Sequence, residues 1–245
     1  MSPTTRARAA LRDERGFTLI ELMVALVVGM IVLLVAFNML DVSVQQTAQI
    51  TERVDADQRG RHALETLTQE LHSSCVAPAV GPIQASDGTH PGSDSSHLAF
   101  LSQFGSAPLL TPDLHVISVA GGQIIDTVYP ANAGGAAGNW TFAASPTRIN
   151  QLLTNVAAAS VGSPPTIQPA FQYYAYGPNG QLLSAPLQPP FSAAVASSAV
   201  AVTIAFAAQP TSGSPDVKRT VNFDDSVVLR LTPVPTPATT QFPCA

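Results

Sequence analysis

The sequence predicts an α+β protein in which a long N-terminal helix leads into an antiparallel β-sheet domain. Three observations predict it. The run from Phe17 to Leu40 is apolar apart from Glu21, and Arg6, Arg8, Arg12 and Arg15 precede it. No proline interrupts the chain between Phe17 and Ala77, and residues 41–72 are rich in Gln, Glu, Arg and Ala. The last third changes period: Val200, Val202, Ile204 and Phe206 recur at every second position, as do Val227, Leu229 and Leu231.

Residues 1–16 read as a basic leader outside the fold. Residues 17–40, at about 1.5 Å per residue, are long enough to cross a hydrocarbon core of about 30 Å as a helix. The arginines ahead of this span place the N-terminus in the cytoplasm and the rest of the chain outside. A secretory signal peptide is a poorer fit, because its apolar core is shorter and ends in a small-residue cleavage site. Glu21 is expensive in such a setting. It lies near the start of the span, where the cost is smaller, and in a protein interior it needs a cationic partner.

Residues 41–74 continue the helix in amphipathic form. Ile50, Val54, Gly60, Ala63, Leu64, Leu67 and Leu71 fall mostly at the three- and four-residue spacings of one face. Pro78 disfavours helix at Ala77, so the helix should end near Ser74. Residues 75–245 form the β-rich domain. A Pro- and Gly-rich loop over 75–97 leads to a strand over 97–104, with Leu98 and Phe100 facing opposite to Ala99 and Leu101. Strands over 114–120 and 123–129 flank Gly121-Gly122, a hairpin signal. Residues 130–146 read as a long loop and 147–159 as a short helix. Strands over 169–176 and 181–183 flank Pro178-Asn179-Gly180, a second hairpin signal. The Val200–Phe206 and Val227–Leu231 stretches read as half-buried antiparallel strands.

The segment Gly16-Phe17-Thr18-Leu19-Ile20-Glu21-Leu22-Met23-Val24-Ala25 resembles the leader-cleavage motif of type IV prepilins and type II secretion pseudopilins. The resemblance implies a pilin helix packed on the β domain and a cut between Gly16 and Phe17 by prepilin peptidase. It also implies N-methylation of the new terminal Phe17. Glu21 then becomes the fifth residue of the mature chain, where the family sets a glutamate against a neighbouring subunit's terminal amine in filament assembly. The segment from Arg59 to Leu71, with Leu64, Leu67 and Glu70, is similar to W-type minor pilins and J-type minor pseudopilins. So is the C-terminal order of Phe171-x-Tyr173-Tyr174, Val202-x-Ile204 and Val227-Val228-Leu229-Arg230, although Leu231 stands where that family often has Asn. Major subunits often carry a proline at the position held here by Asn38. The implied partners are prepilin peptidase, other major and minor pilins or pseudopilins, and an inner-membrane assembly platform. The implied location is the inner membrane in a single pass, then the pilus or pseudopilus.

Charge narrows the function classes. The chain has 11 basic and 16 acidic side chains, which fall to 7 and 14 without residues 1–16. Beyond residue 75 the basic residues are Arg148, Lys218, Arg219 and Arg230, too dispersed for a nucleic-acid face. Cys75 and Cys244 bracket the β domain. In an oxidising compartment they can pair with each other, and free thiols or a bond to another subunit are the alternatives. No His-Glu-x-x-His, Gly-x-Ser-x-Gly or Cys-x-x-Cys is present, and the histidines are spread along the chain. No catalytic residue, cofactor or metal site is expected, and Asp224-Asp225 and the Asp87–Asp94 loop read as solvated turn acids. Tyr173, Tyr174 and Tyr176 read as strand core rather than a sugar platform. A structural and assembly subunit is the first reading. A tip adhesin carried on the same helix is the alternative.

Overall fold

The computed structural model describes residues 18–74, 80–102, 111–133, 139–211 and 219–229. Gly16, Phe17, Cys75 and Cys244 lie outside them, and so does the stretch from Arg230 onward. A single helix, α1 (Leu19–His72), opens the fold and runs unbroken through Asn38, whose Nδ2 donates to Leu34 O at 2.8 Å. Thr18 caps it: its Oγ1 accepts the backbone N–H of Glu21 at 3.3 Å, the Thr-x-x-Glu pattern of a capping box.

The chain divides into two compact units, residues 1–49 and 50–245. Within the first, α1 is solvent-facing all round. Within the second, α1 contributes a buried stripe of Ala56, Gly60, Ala63, Leu67 and Glu70, in alternating steps of four and three residues, with Leu71 buried beside Glu70. Ile50 and Val54, expected on that stripe, are 65% and 47% exposed. The stripe begins at Ala56, six residues after Ile50.

Ten strands follow. β1 (His97–Ser102), β2 (Asp113–Ala120), β3 (Gln123–Tyr129) and β4 (Arg148–Thr154) form an antiparallel meander in that order. Gly121 and Gly122 both have positive φ, 59° and 75°, as the two-residue turn between β2 and β3 requires. The second sheet is centred on β9 (Ala199–Ala208). β10 (Val221–Val228) pairs along one side of it, and β5 (Val156–Ala157) and β8 (Phe171–Ala175) share the other. β6 (Ser160–Val161) and β7 (Thr166–Ile167) form a small ribbon, and α2 (Ala193–Ser197) is a single turn capped by Ser192.

Residues 147–159 form β4 and β5, not a helix. The composition of Ile149-Asn150-Gln151-Leu152-Leu153 suits either state locally. Pairing with β3 across Val128↔Arg148 to Gln123↔Thr154 decides it. Asn155, at φ 56°, then turns the chain into the second sheet. The Asn179-Gly180 turn forms, with Gly180 at φ 71° and Gly177 N–H donating to Gln181 O at 2.8 Å. Its second arm reduces to one bridge, Tyr176↔Leu182, with Leu183 N–H donating to Ala175 O at 3.0 Å beside it.

One core joins the helix stripe to both sheets: Leu67 and Leu71 meet Phe100 and Ile117 from the first sheet and Phe171 and Phe206 from the second. A second cluster of Ala99, Leu101, Leu114 and Val116, with Trp140 and Phe142 packed against it, lies on the opposite face of β1 and β2. β1 is therefore buried on both faces. Its free edge is covered too, since Gln84 N–H donates to Ala99 O at 2.8 Å and Leu101 N–H to Pro82 O at 3.0 Å. β9 is likewise buried on both faces rather than half-buried.

Candidate functional site

The apolar half of α1 is the first candidate. Its large apolar side chains from Leu19 to Val44 are 50–78% exposed, a continuous surface around the helix. Such a surface needs lipid or other helices to cover it. Glu21 is the single charge between Leu19 and Leu40, on the first turn of the helix and exposed. The helix is long and apolar enough to cross a membrane by length and composition.

The β domain places the histidines and acids that look scattered in the sequence. Asp87 Oδ1 accepts the backbone N–H of Thr89 at 2.8 Å and of His90 at 2.6 Å, while its Oδ2 meets His90 Nδ1 at 2.7 Å. The other ring nitrogen of His90 faces Ala143 O at 3.0 Å. Burial by itself would lower the His90 pKa. The Asp87 hydrogen bond, with Ala143 and the Asp87 charge, outweighs it and holds His90 above its ordinary value. Asp94 caps Ser96 and His97 through their backbone N–H groups in the same way. Asp87 and Asp94 thus organise a loop. Asp224 and Asp225, expected in a turn, stand exposed on β10. Tyr173 is core, 1% exposed, and its hydroxyl donates to His97 O at 2.6 Å, whereas Tyr176 is 53% exposed.

A second constellation lies where α1 meets the first sheet. Glu70, His115 and Asp126 are 4%, 1% and 0% exposed. On β2 and β3, Ile117 pairs with Asp126, which makes His115 and Asp126 diagonal neighbours. His115 Nδ1 lies 3.1 Å from Asp126 Oδ1, and Asn150 Nδ2 on β4 donates to Asp126 Oδ2 at 3.2 Å. The His115 ring stacks on Phe100 at 5.3 Å. Glu70 Oε2 is buried with no hydrogen-bond partner. Burial, together with the neighbouring Asp126 charge, pushes the Glu70 carboxyl up to about 7 against the opposing pull of His115 and Arg148.

The family description "Prokaryotic N-terminal methylation motif" matches residues 11–37. This segment carries the motif at which the N-terminal residue is methylated, and it spans the start of α1. No curated protein matches the chain in sequence. Among solved structures, a chain of the GspK–GspI–GspJ complex of the type 2 secretion system of enterotoxigenic Escherichia coli is similar at 13% identity. The likeness covers 74% of this chain and 99% of that chain, with a TM-score of 0.40. So remote a likeness assigns no role.

The motif and the apolar span support membrane anchoring. Of the residues singled out in the sequence, Glu21 alone stands within both the described structure and the motif. The Glu70–His115–Asp126 cluster was not singled out. Each member sat on a readable inward position, Glu70 seven residues past Ala63 on the helix stripe and the others on strand faces. Their convergence depends on strand register and helix docking, which no local spacing carries.

Proposed function

We propose that this chain is a minor, non-enzymatic subunit of a type IV pilus or type II secretion pseudopilus, most similar to W- and J-type subunits, that primes and builds the fibre. The observation that carries this reading is the exposed apolar surface of α1 beginning at the methylation motif, with Glu21 as its single charge. In this reading the precursor inserts with residues 1–16 in the cytoplasm, and prepilin peptidase cuts between Gly16 and Phe17 and methylates Phe17. The apolar helices of this and other major and minor subunits leave the lipid at an inner-membrane assembly platform and cover one another. Two helices exchange lipid contacts for packing contacts, so the transfer costs little, and Glu21 neutralises a terminal amine that is buried with it. The β domain, with Cys75 and Cys244 joined, stands outside the membrane and then on the fibre.

The test is intact-mass and N-terminal peptide analysis of the membrane-extracted chain, with and without prepilin peptidase. A chain beginning at N-methyl-Phe17 only when the peptidase is present is the expected result. A retained leader in both cases, or a cut elsewhere, sinks the reading and leaves a simple membrane anchor.

A further inference from the structure

The geometry points to a structural divalent-metal site formed by Glu70 of α1, His115 of β2 and Asp126 of β3, with Zn2+ as the ion that fits it best. The three side chains come from three elements, and one ligating atom of each lies within 4.8 Å of the other two. Ligands bound tetrahedrally to Zn2+ at about 2.0–2.1 Å stand about 3.3 Å apart. His115 Nδ1 and Asp126 Oδ1, at 3.1 Å, already match one edge of that tetrahedron. The Glu70 carboxylate, within 4.8 Å of both, needs to close by at most about 1.5 Å, which a side-chain rotamer adjustment can supply.

Three features separate this cluster from ordinary buried polar packing. Glu70 Oε2 has no partner, although Glu70 is only 4% exposed, and a buried carboxylate oxygen left unpaired is costly. Two carboxylates and an imidazole balance a dication, so an ion converts a repulsive arrangement into a neutral one. The ligands also have the supporting contacts that metal sites use: Asn150 holds the second oxygen of Asp126, and Phe100 stacks on the His115 ring. A nitrogen donor beside two oxygens selects a first-row transition ion over Ca2+ or Mg2+, which take all-oxygen shells. The three residues are each under 5% exposed, and three protein ligands leave one tetrahedral position for water or for the second oxygen of a carboxylate. An ion here would pin the C-terminal end of α1 to the β2–β3 hairpin.

The experiment uses the full chain in detergent, stripped with chelator and titrated with Zn2+ alone. Expected are one ion per chain, and a Tm that rises with the logarithm of Zn2+ concentration. Glu70→Gln, which keeps shape and removes charge, should weaken binding at least about 100-fold, and Asn150→Ala by about 10–100-fold. Calorimetry of the wild-type chain needs no variant to fold. Absence of saturable Zn2+ binding by the wild type overturns the proposal and leaves Glu70 as a buried carboxyl without a bound ion. Undiminished binding by a folded Glu70→Gln chain overturns it equally, since the ion would then sit elsewhere.

Discussion

His90 shows how much one side chain can organise. Both ring nitrogens face acceptors, Asp87 Oδ2 and Ala143 O, and the ring packs edge-on against Tyr129 at 4.5 Å. Two acceptors suit an imidazolium, which donates at both nitrogens. The pKa of His90 is raised above 6.5, so its contribution to stability is complete below 6.5 and is lost as pH climbs through the raised value. Asp87 moves the other way. Burial would raise it, but hydrogen bonds from His90 and Thr89 hold it below 3.8, so its contribution is present above 3.8 and lost as acid titrates the lowered value. The Asp87–His90 loop should therefore be firmest from about pH 4 to 6.5 and loosen on the alkaline side. Hydrogen exchange at the Thr89 and His90 amides would report this. A His90→Gln chain with the same alkaline loosening would remove His90 as its cause. The sequence shows the Asp-x-x-His spacing, but the carbonyl of Ala143, far along the chain, completes the arrangement.

At the scale of elements, α1 docks through its smallest residues. Gly60 brings the helix so close to β10 that a methyl group there would overlap the Phe223 ring. That ring is stacked on Phe206 at 5.1 Å and has little room to swing aside. In an open helix Gly→Ala gains about 1 kcal/mol. At Gly60 the overlap reverses the sign, and overpacking of this kind costs about 1–3 kcal/mol. Thermal unfolding of Gly60→Ala should show a lower Tm, with recovery when Phe223→Leu is added. Recovery failing in the double variant would mean that the ring is not the obstacle. Arg59, next to it, donates to Gln209 O at 2.8 Å and to Thr154 O at 3.3 Å, holding carbonyls at the ends of two strands. The helix stripe is legible as a period in the sequence. Its partner is not, because Gly60 and Phe223 are joined only by docking.

For the whole molecule, the division after Gln49 separates an exposed apolar helix segment from a domain with its own buried core. Up to Val44 the large apolar side chains face outward, and from Ala56 the inward face of α1 is buried against strands. Arg219 Nη1 meets Glu52 Oε2 at 2.8 Å, so ties to the β domain begin near Ile50. A chain beginning at Ile50 should be soluble without detergent and unfold in one cooperative step. A broad or multi-step transition by circular dichroism would show that residues before Ile50 are needed for the domain to hold together. The sequence alone determined the apolar span, the methylation motif with Glu21, the continuity of the helix and most strands, because each is written in neighbouring residues as length, period or turn chemistry. Tertiary structure decided that residues 148–154 become a strand, that β1 and β9 are covered on both faces, and that Glu70, His115 and Asp126 share one buried place. Those outcomes depend on which edges find partners and on how a helix seats on a sheet. Contacts between residues far apart in the chain leave no local period to read.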